Sequence, residues 1–483
     1  MNYGRVAHIV GTFCMFISAM LAVPTLVAMI HGETSTLTGF GVPILVGLLF
    51  GWVLRRRFRH ASRTLYRREG LLIVTGCWVL AAVIGAVPFM LSGMIPDPID
   101  AVFESMSGFT TTGSTILTEI DDLPRGLMFW RSMTHWLGGI GIVVLFVAVL
   151  PALGVGGRVL YQFEVPGVET EDLKPRIRET ALALFRIYVA LTLAEIALLM
   201  VFGLGAFDAI VHTFGTVATG GFSNYGASIA QFKSPAVEIV ITVFMLIAGV
   251  NFTLYHRARR DGVRVILADP EFRTYAAILF GVALICFGTL LTTGAEDDVG
   301  RAALDSTFQV VSVGTTTGYG TADFDRWPDV LRLLLVCLMF VGGSAGSTAG
   351  GMKVFRLLLV FKFIAFEVRR FIRPHRVRTL LVGRHPVHED VVRSVTAFFC
   401  VSVLLFAGAS VVLTGMGLSH GTALTSVAAT LWNIGPGLEQ VGPAANFAEI
   451  PAAGKGLLTM LMLFGRLEVF TALAVCMPSL YED

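Results

Sequence analysis

Long apolar runs, separated by short charged stretches, set the pattern of this chain. A helix needs about 20 apolar residues to cross a hydrocarbon core of about 30 Å. Four runs qualify without a single charge: residues 9–30, 37–54, 71–91 and 395–413. Four more qualify with one or two polar interruptions, at 127–153, 181–204, 237–254 and 275–291. A ninth starts near Leu331, is broken by glycines and resumes to Phe366; a tenth covers 457–477 with Arg466 and Glu468 inside it. The pattern therefore predicts ten long spans. The first is too long for a signal peptide and lacks a small-residue cleavage site.

Charge orients these spans. The basic clusters are Arg55, Arg56, Arg57, Arg59, Arg63, Arg67 and Arg68; Arg158, Lys174, Arg176 and Arg178; Arg257, Arg259, Arg260 and Arg264; and Arg369, Arg370, Arg373, Arg376, Arg378 and Arg384. All fall in alternate loops, which the positive-inside rule assigns to the cytoplasm together with both termini. The opposite loops are acidic, with Asp97, Asp100, Glu119, Asp121 and Asp122 in one and Glu296, Asp297, Asp298, Asp323 and Asp325 in another. Most of the basic charge reads as solvated and orienting, with anionic membrane lipid as a further partner.

Composition agrees. Charged residues make up 14% of the 483 and hydrophobic ones 55%, and the mean hydropathy is +0.75. So few charges could not cover so much apolar surface in water. A net charge of +2 gives no field that would favour nucleic acid. Cys14, Cys77, Cys286, Cys337, Cys400 and Cys476 stand singly in apolar runs, a pattern of buried thiols and not of disulfides or metal ligands.

The outward loops repeat themselves. Each holds a short half-apolar segment followed by a glycine-centred turn. The segments are 101–109, 207–215, 304–313 and 423–431. The turns are Thr110-Thr111-Thr112-Gly113-Ser114, Val217-Ala218-Thr219-Gly220-Gly221, Thr315-Thr316-Thr317-Gly318-Tyr319-Gly320 and Trp432-Asn433-Ile434-Gly435-Pro436-Gly437. Aligning Gly113, Gly220, Gly318 and Gly435 puts Phe103, Ile210 and Phe308 ten positions earlier. Asp100, Asp208 and Asp305 open the segments as expected helix caps. A nine-residue helix reaches about 14 Å, half the bilayer, so it must re-enter. The turn after it holds non-helical backbone at membrane depth, which is tolerated only beside a watery cavity. Glycine permits the backbone angles that aim carbonyls at one axis, and four such turns can replace a cation's hydration shell. The expected fold is all-α and integral to the membrane. A two-helix addition at 1–68 precedes four span–re-entrant helix–loop–span repeats at 69–157, 178–265, 271–375 and 389–477 around one pore.

These turns resemble the filter loops of the Trk/Ktr/HKT potassium transporters, and the two extra N-terminal spans resemble the Trk-type uptake subunits. The resemblance covers essentially the whole chain. It implies potassium uptake across a bacterial inner membrane through a filter of Thr110, Thr111, Thr112, Gly113, Ala218, Thr219, Gly220, Thr316, Thr317, Gly318, Asn433, Ile434 and Gly435. Potassium is then the substrate, without a further cofactor. The plant branch that prefers sodium carries a serine in one copy; here all four are glycine. The resemblance further implies a homodimer with one pore per protomer and a cytosolic nucleotide-binding regulatory subunit of the TrkA type.

Two polar features lie near the midplane. Gly342-Gly343-Ser344-Ala345-Gly346-Ser347-Thr348-Ala349-Gly350-Gly351 interrupts the ninth apolar run and reads as an unwound segment. It contains a Gly-x-Ser-x-Gly pattern, but a nucleophile elbow needs a strand before it. Phosphate-loop chemistry fails because Met352 separates the glycines from Lys353. Small residues for tight helix packing remain an alternative. Arg466 lies near the middle of the last span, where a cation must face water or find carbonyl or carboxylate partners. The resemblance implies that 342–351 is an intramembrane gating loop and that Arg466 sits beside it. Glu468 is expected on another helix face, Glu195 and His135 as structural hydrogen-bonding groups, and His385, His388, Glu389 and Asp390 as a solvated loop. Two rival readings are a membrane hydrolase built on Ser344 and His135, and a conventional secondary carrier with inverted repeats; the four repeats share one orientation, which weighs against the carrier.

Overall fold

The computed structural model describes residues 1–61, 66–148, 173–373, 380–383 and 385–482. The basic positions Arg63, Arg158, Arg376, Arg378 and Arg384, and the end of the span read to Leu153, lie outside the described residues.

The chain opens with α1 (Tyr3–Met20) and α2 (Ala22–Ile30), which together make one apolar rod, followed by α3 (Leu37–Arg57). Lipid gives helices no hydrophobic reason to associate, so close backbone approach must hold them. Gly11 and Gly51 supply it: a Cβ on Gly51 would meet the Gly11 carbonyl oxygen at 2.5 Å. The pair is tied to the next unit by Glu33, whose carboxylate accepts the Arg125 and Gly126 amides at 2.6 and 2.9 Å. These are orphan donors at the start of a helix.

Four similar units follow. The first comprises α4 (Arg67–Leu91), the short α5 (Pro98–Phe109) and α6 (Arg125–Ala148). The second comprises α7 (Leu173–Val201), α8 (Ala206–Val217), and α9 (Pro235–Ala248) with α10 (Phe252–Asp261). After the short α11 (Arg264–Ala268) come α12 (Pro270–Thr293), α13 (Val299–Gly314), α14 (Asp329–Met339) and α15 (Val354–Ile372). A two-residue hairpin, β1 (Leu381–Val382) with β2 (His385–Pro386), precedes α16 (Glu389–Gly415), α17 (His420–Leu431), α18 (Ala452–Arg466) and α19 (Val469–Cys476). The fold is an all-α, multi-spanning membrane architecture apart from that hairpin.

Among the described residues, six helices are long and apolar enough to cross a membrane, and eight if each bent pair is one span. Two runs expected to be continuous are therefore broken. The run at 237–254 turns by 88° between α9 and α10, and the last run turns by 119° between α18 and α19. Hydropathy does not register either break because it averages over a window in which apolar residues outnumber Asn251 at the first and Arg466 and Glu468 at the second. Polar stitching makes the first one tolerable. Asn251 Oδ1 accepts the Thr253 amide at 2.8 Å, while the hydroxyls of Tyr255 and Tyr275 donate to the freed carbonyls of Ile247 and Leu246 at 2.7 and 3.1 Å.

The cysteines are only partly as expected. Cys14 and Cys286 are buried, whereas Cys337, Cys400 and Cys476 are exposed on the protein's surface. A thiol is apolar enough to sit on a lipid-facing helix surface.

Candidate functional site

The four short helices α5, α8, α13 and α17 each end in a turn of one design. A positive φ falls at Thr111 (52°), Thr219 (53°), Thr316 (58°) and Asn433 (54°), then again two residues later at Gly113 (86°), Gly221 (77°), Gly318 (83°) and Gly435 (104°). The amides between them close on the helix behind: Thr112 on Ser107, Gly220 on Gly215, Thr317 on Ser312 and Ile434 on Ala429, at 2.7–2.9 Å. This corrects the register of the second copy. Gly221, not Gly220, matches Gly113, Gly318 and Gly435. With that shift, Asp100, Asp208 and Asp305 each lie thirteen residues before their glycine, and the residue ten before it is Val211, buried like Phe103 and Phe308.

The glycines face one another in a closed ring. An added Cβ would meet the carbonyl oxygen of Gly220 from Gly113 (2.2 Å), of Thr317 from Gly221 (2.0 Å), of Ile434 from Gly318 (2.2 Å) and of Thr112 from Gly435 (2.9 Å). Each glycine thus abuts the same backbone oxygen of the next copy, and the fourth returns to the first. Gly220 has another reason to lack a side chain: a Cβ there would lie 2.5 Å from the His135 ring. His135 is fully buried, its Nδ1 paired with the Gly108 carbonyl at 2.7 Å and its Nε2 accepting the Phe222 amide at 3.2 Å. Both ring nitrogens are occupied, so His135 cannot serve as a base for Ser344, and the hydrolase reading fails.

The acidic openers do not cap as expected. Asp97 and Asp298 cap α5 and α13 instead. Asp208 accepts from Asn224 and Tyr225 at 2.8 and 3.2 Å, Asp305 from Arg301 and Thr321, and Asp100 pairs with Lys455 at 2.7 Å. Asp100 and Asp208 lie in the first turn of their helices and Asp305 further in; Asp208 and Asp305 reach forward and brace the segment after the turn, and Asp100 the neighbouring unit. Behind the first two turns lies a buried pair that the sequence reading missed. Arg131 Nε donates to Glu104 at 2.7 Å and Nη1 to the Ser223 carbonyl at 2.8 Å, and its guanidinium lies 3.5 Å from the Phe222 ring centroid. Glu104 also accepts the Ile116 amide at 2.9 Å.

Residues 342–351 lie outside any helix, between α14 and α15, with α14 ending at Met339. The second, third and fourth units supply contacts to them. Ser344 donates its amide to Gly249 at 2.8 Å, and Gly346 accepts from the Phe252 amide at 3.1 Å. Thr348 Oγ1 lies 3.0 Å from the Val217 carbonyl, Gly350 donates to Thr316 Oγ1 at 2.6 Å, and Gly351 to the Trp432 carbonyl at 2.9 Å. Arg466 donates to the Thr348 carbonyl at 2.8 Å and reaches the Gly138 carbonyl at 3.5 Å. Gly343, Ala345, Ser347 and Ala349 complete the segment; Ala345 and Ala349 are buried. Two anchors were not foreseen. Glu271 Oε1 accepts the amides of Ala345 at 2.7 Å and Phe355 at 3.2 Å. Glu468, at the α18–α19 break, pairs with Arg356 on α15. No group of three or more metal-ligating side chains occurs among the described residues, and His388 only precedes α16.

Comparison with known proteins places this architecture. The model of the family described as TrkH, cation transport protein, matches residues 42–296 and 294–480. The chain belongs to that family. It is 40% identical over the full length of both chains to the Trk system potassium uptake protein TrkH of Escherichia coli strain K12. It is 34% identical to TrkG of the same strain, over 96% of each chain. The crystal structure of the potassium transporter TrkH from Vibrio parahaemolyticus superimposes over the whole of both chains with a TM-score of 0.92 at 37% identity. The chain is a multi-pass membrane transporter and not an enzyme.

Proposed function

We propose that this protein mediates potassium uptake across a bacterial inner membrane, with both termini in the cytoplasm and one pore per chain. Its relatives are named as potassium uptake proteins, and the closed ring of backbone carbonyls carries the reading. Oxygens held on four sides can replace the water around a dehydrated monovalent cation. The filter consists of Thr110, Thr111, Thr112, Gly113, Ala218, Thr219, Gly220, Gly221, Thr316, Thr317, Gly318, Asn433, Ile434 and Gly435. The repeats 69–157, 178–265, 271–375 and 389–477 surround it, and 1–68 is an N-terminal addition.

Residues 342–351 with Arg466 form the gate. The loop touches the second, third and fourth turns at their inner ends, and Arg466 brings a positive charge to the same level. Such a charge raises the barrier for a permeating cation wherever water is scarce. The working form is a homodimer under the control of a cytosolic nucleotide-binding subunit. The test is potassium flux into liposomes holding purified protein, with and without an imposed proton gradient. Uptake of potassium well above sodium supports the reading. Flux that vanishes without the proton gradient turns the pore into a coupled carrier, and no potassium flux at all overturns it.

A further inference from the structure

Helix α15 leaves the loop at Val354 and runs to Ile372, with its basic end beside the hairpin and the start of α16. Between these elements lies an open cleft of about 2090 Å³. Its walls carry Lys362, Arg369, Arg370, Arg373 and Arg393 against two carboxylates, Glu367 and Glu389. Glu367 lies 3.5 Å from Arg370, and Lys362 is spent on the Leu381 carbonyl at 3.1 Å. Among the described residues, Arg369, Arg373 and Arg393 have no carboxylate partner. Phe363, Phe366, Ala397 and Cys400 are among the apolar residues that line the cleft. On the outer face of the same helix Phe361, Ile364, Val368 and Phe371 are all exposed, a continuous apolar stripe that suits contact with hydrocarbon.

We propose that this cleft binds the headgroup of an anionic phospholipid from the leaflet on its own side, with the acyl chains running along the outward faces of α15 and α16. Three guanidiniums without a carboxylate partner, beside apolar lining, match a phosphate diester that continues into hydrocarbon. Guanidinium forks grip phosphate oxygens in pairs, and basic pockets between spanning helices favour lipids with negative headgroups. A soluble phosphate would use the arginines and leave the apolar lining wet. An acidic peptide would have no use for Phe371 facing the acyl region.

Occupancy bears on the loop, because α15 follows it directly. The Phe355 amide shares the Glu271 carboxylate with Ala345 of the loop, and Ala345 packs in one cluster with Phe355, Leu359, Val382, Val387 and Val391. A headgroup bridging Arg369 and Arg373 to Arg393 fixes α15 against α16 and the hairpin. This consequence rests on the gating reading above; the binding does not.

The test is native mass spectrometry of the full chain released from nanodiscs of mixed zwitterionic and diphosphate anionic phospholipid. The triple variant Arg369→Gln/Arg373→Gln/Arg393→Gln should retain the anionic lipid roughly tenfold less than the natural chain. The variant Arg55→Gln/Arg56→Gln/Arg57→Gln removes equal charge from the last turn of α3, outside the cleft, and should retain it normally. Equal loss in both variants would reduce the effect to general surface attraction and overturn the site. So would displacement of the lipid by millimolar inorganic phosphate, which marks a soluble-anion site. Unchanged lipid retention with loss of capture by a cytosolic protein marks a protein-docking face and also overturns it. Size-exclusion profiles confirm that each variant is folded. Orientation is read separately, by labelling Arg393→Cys with a membrane-impermeant thiol reagent before and after permeabilisation.

Discussion

Arg466 donates to the Thr348 carbonyl at 2.8 Å, so the guanidinium that ends α18 is bonded to the unwound segment and to no carboxylate among the described residues. Its charge remains uncompensated beside the proposed ion path. Arg466→Ala removes both the bond and the charge, and potassium flux in liposomes should rise by roughly tenfold or more. Arg466→Lys keeps the charge but loses the planar fork and should fall between the two. A well-folded Arg466→Ala protein conducting no more than the natural one removes the gating role.

Gly221 and Gly220 separate two reasons for glycine at neighbouring positions. At Gly221 a side chain meets the Thr317 carbonyl in a backbone of positive φ, so Gly221→Ser should lower the potassium-to-sodium permeability ratio, as should Gly113→Ser and Gly318→Ser. At Gly220 a side chain meets the His135 ring. Gly220→Ser should therefore act first on thermal stability, by about 1–3 kcal/mol of overpacking. Permeability ratios in the Gly113, Gly221 and Gly318 variants that match the natural chain would refute the ring as the selective element.

Deleting residues 344–348 removes the loop's contacts with Gly249, Glu271 and Arg466 together. Flux through the folded deletion protein should exceed that of the natural chain and lose its response to a cytosolic regulator. Glu271→Gln is the milder probe. The amide oxygen still accepts one bond, but without full charge, so resting flux should rise less than with the deletion. Natural flux in the deletion protein ends the gate hypothesis.

Arg131 and Glu104 form a buried pair whose halves are costly to separate. Arg131→Met leaves a carboxylate without its cation and should destabilise the fold by about 3–5 kcal/mol. Adding Glu104→Gln should restore part of that, because the second change removes the stranded charge. Chemical denaturation in detergent, run on both singles and the double, measures the coupling. Strict additivity would show that the pair is not energetically linked.

Most of the long helices and the four turns were legible because each leaves a mark on the local sequence: an apolar length, or a glycine after a short half-apolar segment. The register of the second turn was not. Gly220-Gly221 offers two candidates, and only the aligned φ values and the uniform distance back to Asp208 choose between them. The breaks at Gly249–Asn251 and Leu467–Glu468 were also hidden, because hydropathy averages over them. Their stabilising partners, Ser344 and Arg356, lie far away in the chain. Glu271 illustrates the same limit. It sits near the start of a helix, where a carboxylate is ordinary, and nothing nearby says that it will bind the amides of Ala345 and Phe355.

The ring of turns belongs to one covalent chain. In a channel assembled from four identical subunits every substitution is imposed four times, and its effect cannot be graded. Here a change at Gly318 leaves Gly113, Gly221 and Gly435 as they were, so a mutation delivers a quarter dose. Each quadrant is free to drift on its own, which the replacement of threonine by Asn433 already displays. Its amide donates at 2.8 Å to the Thr112 hydroxyl and at 3.0 Å to the Met462 carbonyl. Selectivity in such a molecule can be retuned in small steps, one side of the ring at a time, without a moment at which all four sides are altered together.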